Sequence, residues 1–254
     1  MELTGEIRRR QVPALRCPSP PFSSPAPLCP PFGAPLIISH RLQILGNDLS
    51  PIQPKWVPPN VHFEVDDVEA PWTYNTKFDF IHSRYMGNAI KDWRKLAANC
   101  FQFTAPGGYT EFLDLDLAWK SPDGSLTEDM ASLKFNNVFL DTCAQIGQDA
   151  CPGPKLEGYL KDAGFENVVA EKFVIPVGTW PKDKQLKAVG AWNYLQINEG
   201  LEGFVMALFT RRLGYTQKEC EVICAKVRSE MRNQKMHAYM SALSLPLPFP
   251  NPPS

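Results

Sequence analysis

The sequence predicts an α/β fold built on a parallel sheet, and three observations carry that expectation. Short apolar runs recur that end on charged or polar residues: Leu42–Ser50 ending at Asp48, Val61–Val65 ending at Asp66-Asp67, and Phe78–His82. A segment of helical period, with Ile90, Trp93, Leu96, Ala97 and Cys100 in phase, separates the third of these from another strand pattern at 109–115. Strands alternating with helices in this way favour crossover connections and hence parallel pairing. Finally, 254 residues with 44% hydrophobic and 21% charged content suffice for one substantial core.

Each element has its own signal. Val61-His62-Phe63-Glu64-Val65 alternates as a half-buried strand does, and Phe78–His82 is entered from the turn Asn75-Thr76-Lys77. The helix predicted over 89–103 should stop at Pro106-Gly107-Gly108, which then turns into the strand 109–115. Beyond Lys120 the pattern is mainly helical. Helices are expected near 127–147, after the capping-box-like Thr127-Glu128-Asp129-Met130, and near 155–163, ending at Gly164. A strand over 166–175 follows, then a long helical region 183–213 broken at Gly214, and a last helix near 216–232.

The two ends read differently. Residues 11–35 carry nine prolines, which lack an amide donor and fix φ, so this stretch is expected to be disordered or extended and to supply no central strand. The closing run Leu243–Pro250 is apolar but studded with proline, and is likewise expected not to form a central strand. The predicted organisation is therefore a proline-rich segment 1–35, a folded domain 36–240 with a helical insertion at about 183–232, and a proline-rich tail 241–254.

Composition excludes several classes of function. A formal net charge of −1 lacks the basic excess of a general nucleic-acid or membrane-surface binder. No apolar run approaches the roughly 20 residues that span a bilayer, and the polar start before Arg8-Arg9-Arg10 is not expected to act as a secretory leader. The seven cysteines form no C-x-x-C pair, and no histidine accompanies Cys220 and Cys224 in a zinc set; no metal is expected, and reduced thiols fit a cytoplasmic or nuclear protein.

Asp48 is the residue with the clearest chemical reading. A carboxylate at the end of a strand in a nucleotide-binding α/β domain commonly accepts hydrogen bonds from a ribose hydroxyl pair. Such a residue should lie about 20 residues after a glycine-rich strand-to-helix turn. The sequence ahead of Leu42 contains no such turn, and Gly33-Ala34-Pro35 is no substitute because proline removes both the bend and the donor.

Several further stretches join Asp48 in a pattern: Gly46–Gln53, Trp56–Asn60, Phe78–His82, Pro106–Tyr109, Trp192-Asn193, Glu199–Gly203 and His237-Ala238-Tyr239. Together, from about Leu42 to Tyr239, they resemble the fungal S-adenosylmethionine-dependent class I methyltransferases of the LaeA-like (TAM-domain) type. The resemblance implies a Rossmann-like sheet with helices on both faces and a C-terminal helical insertion. Here the N-terminal strand–loop–helix unit would be incomplete, and the closing hairpin strand would be replaced by Pro246–Pro253. The implied cofactor is S-adenosyl-L-methionine, held by Asp48 at the ribose, Leu49 beside it, and Asp67 at the adenine amine with Asp66 adjacent. His82 and Arg84 would lie near the methionine end, and His82 is a candidate base, although a structural role suits it equally. Trp180, Trp192, Tyr194 and Phe204 could line a substrate pocket or pack a core. The partner would be a small-molecule substrate or, for a catalytically weak regulator of natural-product genes, another protein; direct contact with nucleic acid or membrane is not expected. Without the glycine-rich turn, the adenosine end should bind weakly.

Overall fold

The computed structural model describes residues 12–16, 43–53 and 56–248. Its strands are β1 (Val12–Arg16), β2 (Gln43–Asp48), β3 (Val61–Val65), β4 (Phe78–Arg84), β5 (Thr104–Lys120), β6 (Glu171–Pro176) and β7 (Tyr239–Pro248). The helices are α1 (Trp93–Phe103), α2 (Ala131–Gln145), α3 (Gly153–Ala163), α4 (Lys184–Val205), α5 (Arg211–Leu213) and α6 (Gln217–Met231), with a π-helical turn at Met206–Thr210. The fold is α/β, as the alternation of patterns predicts.

The described chain divides into two compact units. One contains 12–16, 43–53, 56–114, 155–171 and 244–248; the other contains 115–154 and 172–243. In the first, the strands are ordered β3-β2-β1-β4-β5, with β2–β3 and β4–β5 parallel. β5 continues into the second unit, where the order is β5-β7-β6.

Two expectations about the ends are corrected. Val12–Arg16 is a central strand between β2 and β4, antiparallel to both. This segment contains a single proline, Pro13, and pairing it satisfies backbone groups that β2 and β4 would otherwise leave open. The remaining prolines of 11–35 lie outside the described residues. The direction of β1 has a consequence for the site. Val12 pairs with Asn47 and Arg16 with Gln43, so β1 leaves the sheet at the amino end of β2. β1 therefore ends at the opposite edge from Asp48, which stands at the carboxyl end of β2.

The second correction concerns Tyr239–Pro248, which forms β7 between β5 and β6 and is not a tail. Its first seven residues are free of proline, and Met240, Ser241, Ala242 and Leu245 are buried. The Val177 amide donates to the Ala238 carbonyl at 2.8 Å, which joins the end of β6 to the start of β7 and makes them antiparallel. The closing strand is thus present; the residues beyond Pro248 lie outside the described ones.

Helix ends depart from the pattern-based limits for identifiable reasons. α1 starts at Trp93 because Asp92 caps it, its carboxylate accepting from the Lys95 amide at 2.9 Å. All five apolar residues predicted to share its face are buried, Ile90 in the turn just ahead. The helix ends at Phe103, ahead of Pro106-Gly107-Gly108, which forms a bulge inside β5. Gly107 has φ 75°, and a Cβ on Gly108 would stand 2.8 Å from the Asp79 carbonyl oxygen, so the bulge needs both glycines. α2 does not use Thr127 as its cap. Its first amides, Ala131 and Ser132, donate to the Glu230 carboxylate at 2.9 and 2.7 Å, a contact remote in sequence. α6 carries a full capping box, Thr216 with Glu219.

Burial supports both units. In the second, Phe135, Phe139, Phe209, Leu201, Val205, Val227 and Met236 belong to one apolar cluster that fixes α2, α4 and α6 together. In the first, Ile44 and Val61 pack with Phe63 and Phe80. Among the described residues no helix is long and apolar enough to cross a membrane.

Candidate functional site

The carboxyl ends of β2 and β3 carry the acidic residues that sequence reasoning singled out. Parallel pairing sets Asp48 opposite Val65, and the Asp66 amide donates to the Asp48 carbonyl at 3.1 Å, so the two strand ends stay adjacent. A crevice opens there, lined by Asn47, Asp48, Leu49, Asp66, Asp67, Val68, Glu69, Met86, Ala89 and Ile90. Open α/β sheets bind ligands at this edge of their strands.

Asp48 is 6% exposed. Its Oδ1 accepts from the Ser50 amide at 2.9 Å, while Oδ2 is buried with no hydrogen-bond partner. An orphaned carboxylate oxygen in a crevice costs free energy until a donor arrives, and that makes it a natural receptor for a hydroxyl. Asn47 shows the same feature: its Nδ2 donates to the Tyr74 hydroxyl at 2.6 Å and its Oδ1 has no partner. Asp67 accepts from the Glu69 amide at 3.0 Å, and the Asp67 amide donates to Asp66 Oδ1 at 2.8 Å, so the turn after β3 is organised by its own carboxylates. Leu49 is 38% exposed at the rim and Val68 is buried, giving apolar surface beside the acidic groups.

The far wall is the loop after β4. Tyr85 and Asn88 adopt positive φ values of 57° and 61°, unusual for residues with side chains. The loop is held in this shape by Asp114 on β5, which accepts from the Met86 amide at 2.6 Å and the Gly87 amide at 3.0 Å. The Tyr85 amide donates to the Leu113 carbonyl at 2.9 Å. Glu69 completes the frame, its Oε1 accepting from the Lys91 and Asp92 amides at 2.9 and 3.0 Å, ahead of α1.

Four of the six residues expected at the cofactor, Asp48, Leu49, Asp66 and Asp67, are brought together here. His82 and Arg84 are not among the crevice lining. His82 lies within β4, its Nδ1 2.8 Å from Glu111 Oε2, and Ser244 Oγ donates to the other oxygen of Glu111 at 3.2 Å. The His82 contact holds the Glu111 carboxyl below its ordinary range against the opposing effect of burial. Arg84 is exposed, its guanidinium 5.5 Å from the centre of the Tyr85 ring. Of the aromatic set, Trp192 is 73% and Phe204 45% exposed, and the Tyr194 hydroxyl accepts from Arg232 at 3.0 Å.

Residues 86–89 and Asp114 are not singled out by the sequence, which marks Ile90 only as part of a helix face. Asp114 left one readable trace. It shares the buried face of β5 with Thr110 and Phe112, and a carboxylate on such a face requires dedicated donors.

The profile of the methyltransferase domain matches residues 29–170. The chain belongs to the methyltransferase-domain family. The methyltransferase pytC of Aspergillus terreus is 42% identical over 195 residues, which cover 77% of this chain and 60% of that protein. The secondary metabolism regulator LAE1 of Cochliobolus heterostrophus is 31% identical over 201 residues, 78% of this chain and 66% of its own. This methyltransferase-domain chain thus spans about 60% of the length of pytC. Among solved structures, phosphoethanolamine N-methyltransferase 2 of Haemonchus contortus, in complex with phosphomonomethylethanolamine and S-adenosylhomocysteine, aligns at 16% identity with a TM-score of 0.43. That alignment covers 76% of this chain and 38% of that one.

Proposed function

We propose that this chain holds the adenosine end of S-adenosylmethionine in the Asp48 crevice and methylates an acceptor in fungal secondary metabolism. The observation that carries this reading is Asp48 Oδ2, a buried carboxylate oxygen without a partner at the carboxyl end of β2. It would accept from a ribose hydroxyl, while Asp67 would accept from the adenine amine; a carboxylate suits an exocyclic amine because it has no proton to donate. Leu49, Val68 and Ile90 supply apolar surface for a flat base. Four carboxylates on one crevice also favour a ligand carrying positive charge.

When bound, S-adenosylmethionine supplies an electrophilic methyl group, and such a transfer depends mainly on alignment of the acceptor. His82 and Arg84 remain candidates for the methionine end on this reading. The nitrogen that His82 would offer as a base is Nε2, since Nδ1 is engaged by Glu111. The acceptor is a small molecule or a protein side chain.

A second reading is a weakly active regulator that works through a protein partner. It is favoured by the reversed β1, by the lack of a glycine-rich turn ahead of β2, and by relatives such as LAE1, named a secondary metabolism regulator. Ultraviolet photolabelling of the purified chain with tritiated S-adenosylmethionine separates the two. Label should appear in peptides within 43–69 or 86–92 and be displaced by S-adenosylhomocysteine. Label confined to other peptides refutes the placement, and no competable label at all favours the regulator.

A further inference from the structure

The second unit carries a polar and aromatic cluster that the crevice does not use. It gathers where β5 ends at Lys120, where the chain leaves β6, and where β7 begins, so it stands at the carboxyl edge of two strands. His237 Nδ1 lies 2.5 Å from Asp123 Oδ2. The Trp180 ring lies against the imidazole, with centroids 5.0 Å apart and planes 35° apart. The indole is itself fixed, its Nε1 donating to the Ala238 carbonyl at 2.9 Å. Asp123 is held in place by the Ser121 hydroxyl at 2.8 Å and the Ser125 amide at 3.1 Å, and the His237 amide donates to Ser125 Oγ at 2.8 Å.

These contacts fix the place of the carboxylate, the imidazole and the indole. The hydrogen bonds from Ser121, Ser125 and His237 keep the Asp123 carboxyl well below its ordinary range, so it is ionised and can only accept. In the neutral ring the proton between the two groups sits on His237 Nδ1, and Nε2 is then the acceptor. The imidazole side chain is 37% exposed, and Trp180 is half-buried beside it. A partly exposed histidine with one nitrogen engaged by a carboxylate, next to a fixed indole, exceeds what packing requires.

We propose that His237, Asp123 and Trp180 form a binding site for a planar aromatic molecule carrying a hydroxyl or ring N–H. The donor reaches His237 Nε2, Asp123 holds the ring in the accepting tautomer, and Trp180 offers polarisable surface to the flat body of the ligand. The site rests on this unit alone and stands whether or not the chain transfers methyl groups.

The test uses the full chain with histidine labelled with 15N at both ring nitrogens. The four histidines give separable signals, and His237→Gln identifies the relevant pair. The probes are 2-naphthol and 2-methoxynaphthalene, which share a shape but differ in the donor. The expected result is that 2-naphthol moves the His237 Nε2 resonance and binds roughly tenfold more tightly, the factor one hydrogen bond supplies. Trp180→Ala should weaken both probes, and His237→Gln should erase the difference between them. Equal affinity for the two probes in the unaltered chain overturns the proposal. So does a naphthol response at another histidine, or none at His237 up to the solubility limit.

Discussion

Asp114 builds the crevice wall without lining the crevice. It is 2% exposed and receives two successive amides, and hydrogen bonds to a charged group contribute about 1.5–3 kcal/mol each. Replacing it by Ala should free the Met86 and Gly87 amides and let Tyr85 and Asn88 relax from positive φ. Hydrogen exchange should show those two amides losing protection while β2 and β3 keep theirs; unchanged protection would contradict the assigned role. Glu111 gives a prediction in pH. Its folded pKa is depressed, first by the His82 hydrogen bond, so its contribution to stability is complete above the unfolded value of about 4.3. That contribution is lost as pH falls through the lower folded value. The urea midpoint of the natural chain should therefore exceed that of Glu111→Gln near neutrality, with the gap closing on acidification. A gap that stays constant down to strongly acidic pH would show that the pair is not ionic. Cysteine chemistry enters none of this: burial pushes the Cys143 thiol up to about 11, far from a reactive thiolate.

Among the elements, α4 shows how tightly helix and loop meet. A Cβ on Gly190 would stand 2.0 Å from the Gly178 carbonyl oxygen, a contact with backbone that no rotamer can relieve. Gly190→Ala should cost about 1–3 kcal/mol by overpacking, although alanine is the better helix former. A denaturation midpoint equal to or above that of the natural chain would contradict this packing. Gly190 was invisible in the sequence, where glycine inside a helical pattern reads as a weakness and not as a point of approach. The strands and the α1 face were legible because period and burial agree: Ile90, Trp93, Leu96, Ala97 and Cys100 are all buried. Two strands were misjudged through proline counting. Val12–Arg16 carries only Pro13 and Tyr239–Pro248 keeps its first seven residues free of proline, and both occupy sheet positions between two neighbouring strands. Propensity counts residues within a segment; it does not register vacancies in a sheet. The α2 cap was misread for a related reason, since Glu230 arrives from far along the chain.

In the molecule as a whole, the part of the site made by strand ends was legible and the part made by loops was not. Asp48, Leu49, Asp66 and Asp67 follow directly from where β2 and β3 stop, whereas Met86, Ala89 and Ile90 depend on a loop shape set by Asp114. The first unit carries carboxylates at the ends of β2 and β3, while β1 runs antiparallel to both of its neighbours and leaves at the amino end of β2. On the proposed function, this combination implies adenosine recognition through Asp48 with weak hold on the rest of the cofactor. The direct test is calorimetry of S-adenosylhomocysteine and its 2′-deoxy analogue against the natural chain and Asp48→Ala. The natural chain should prefer the intact ribose, and Asp48→Ala should lose about 2–3 kcal/mol toward S-adenosylhomocysteine and nearly nothing toward the deoxy analogue. An Asp48→Ala chain that binds S-adenosylhomocysteine as tightly as the natural one, with the same preference for the ribose hydroxyl, would contradict the placement of the site.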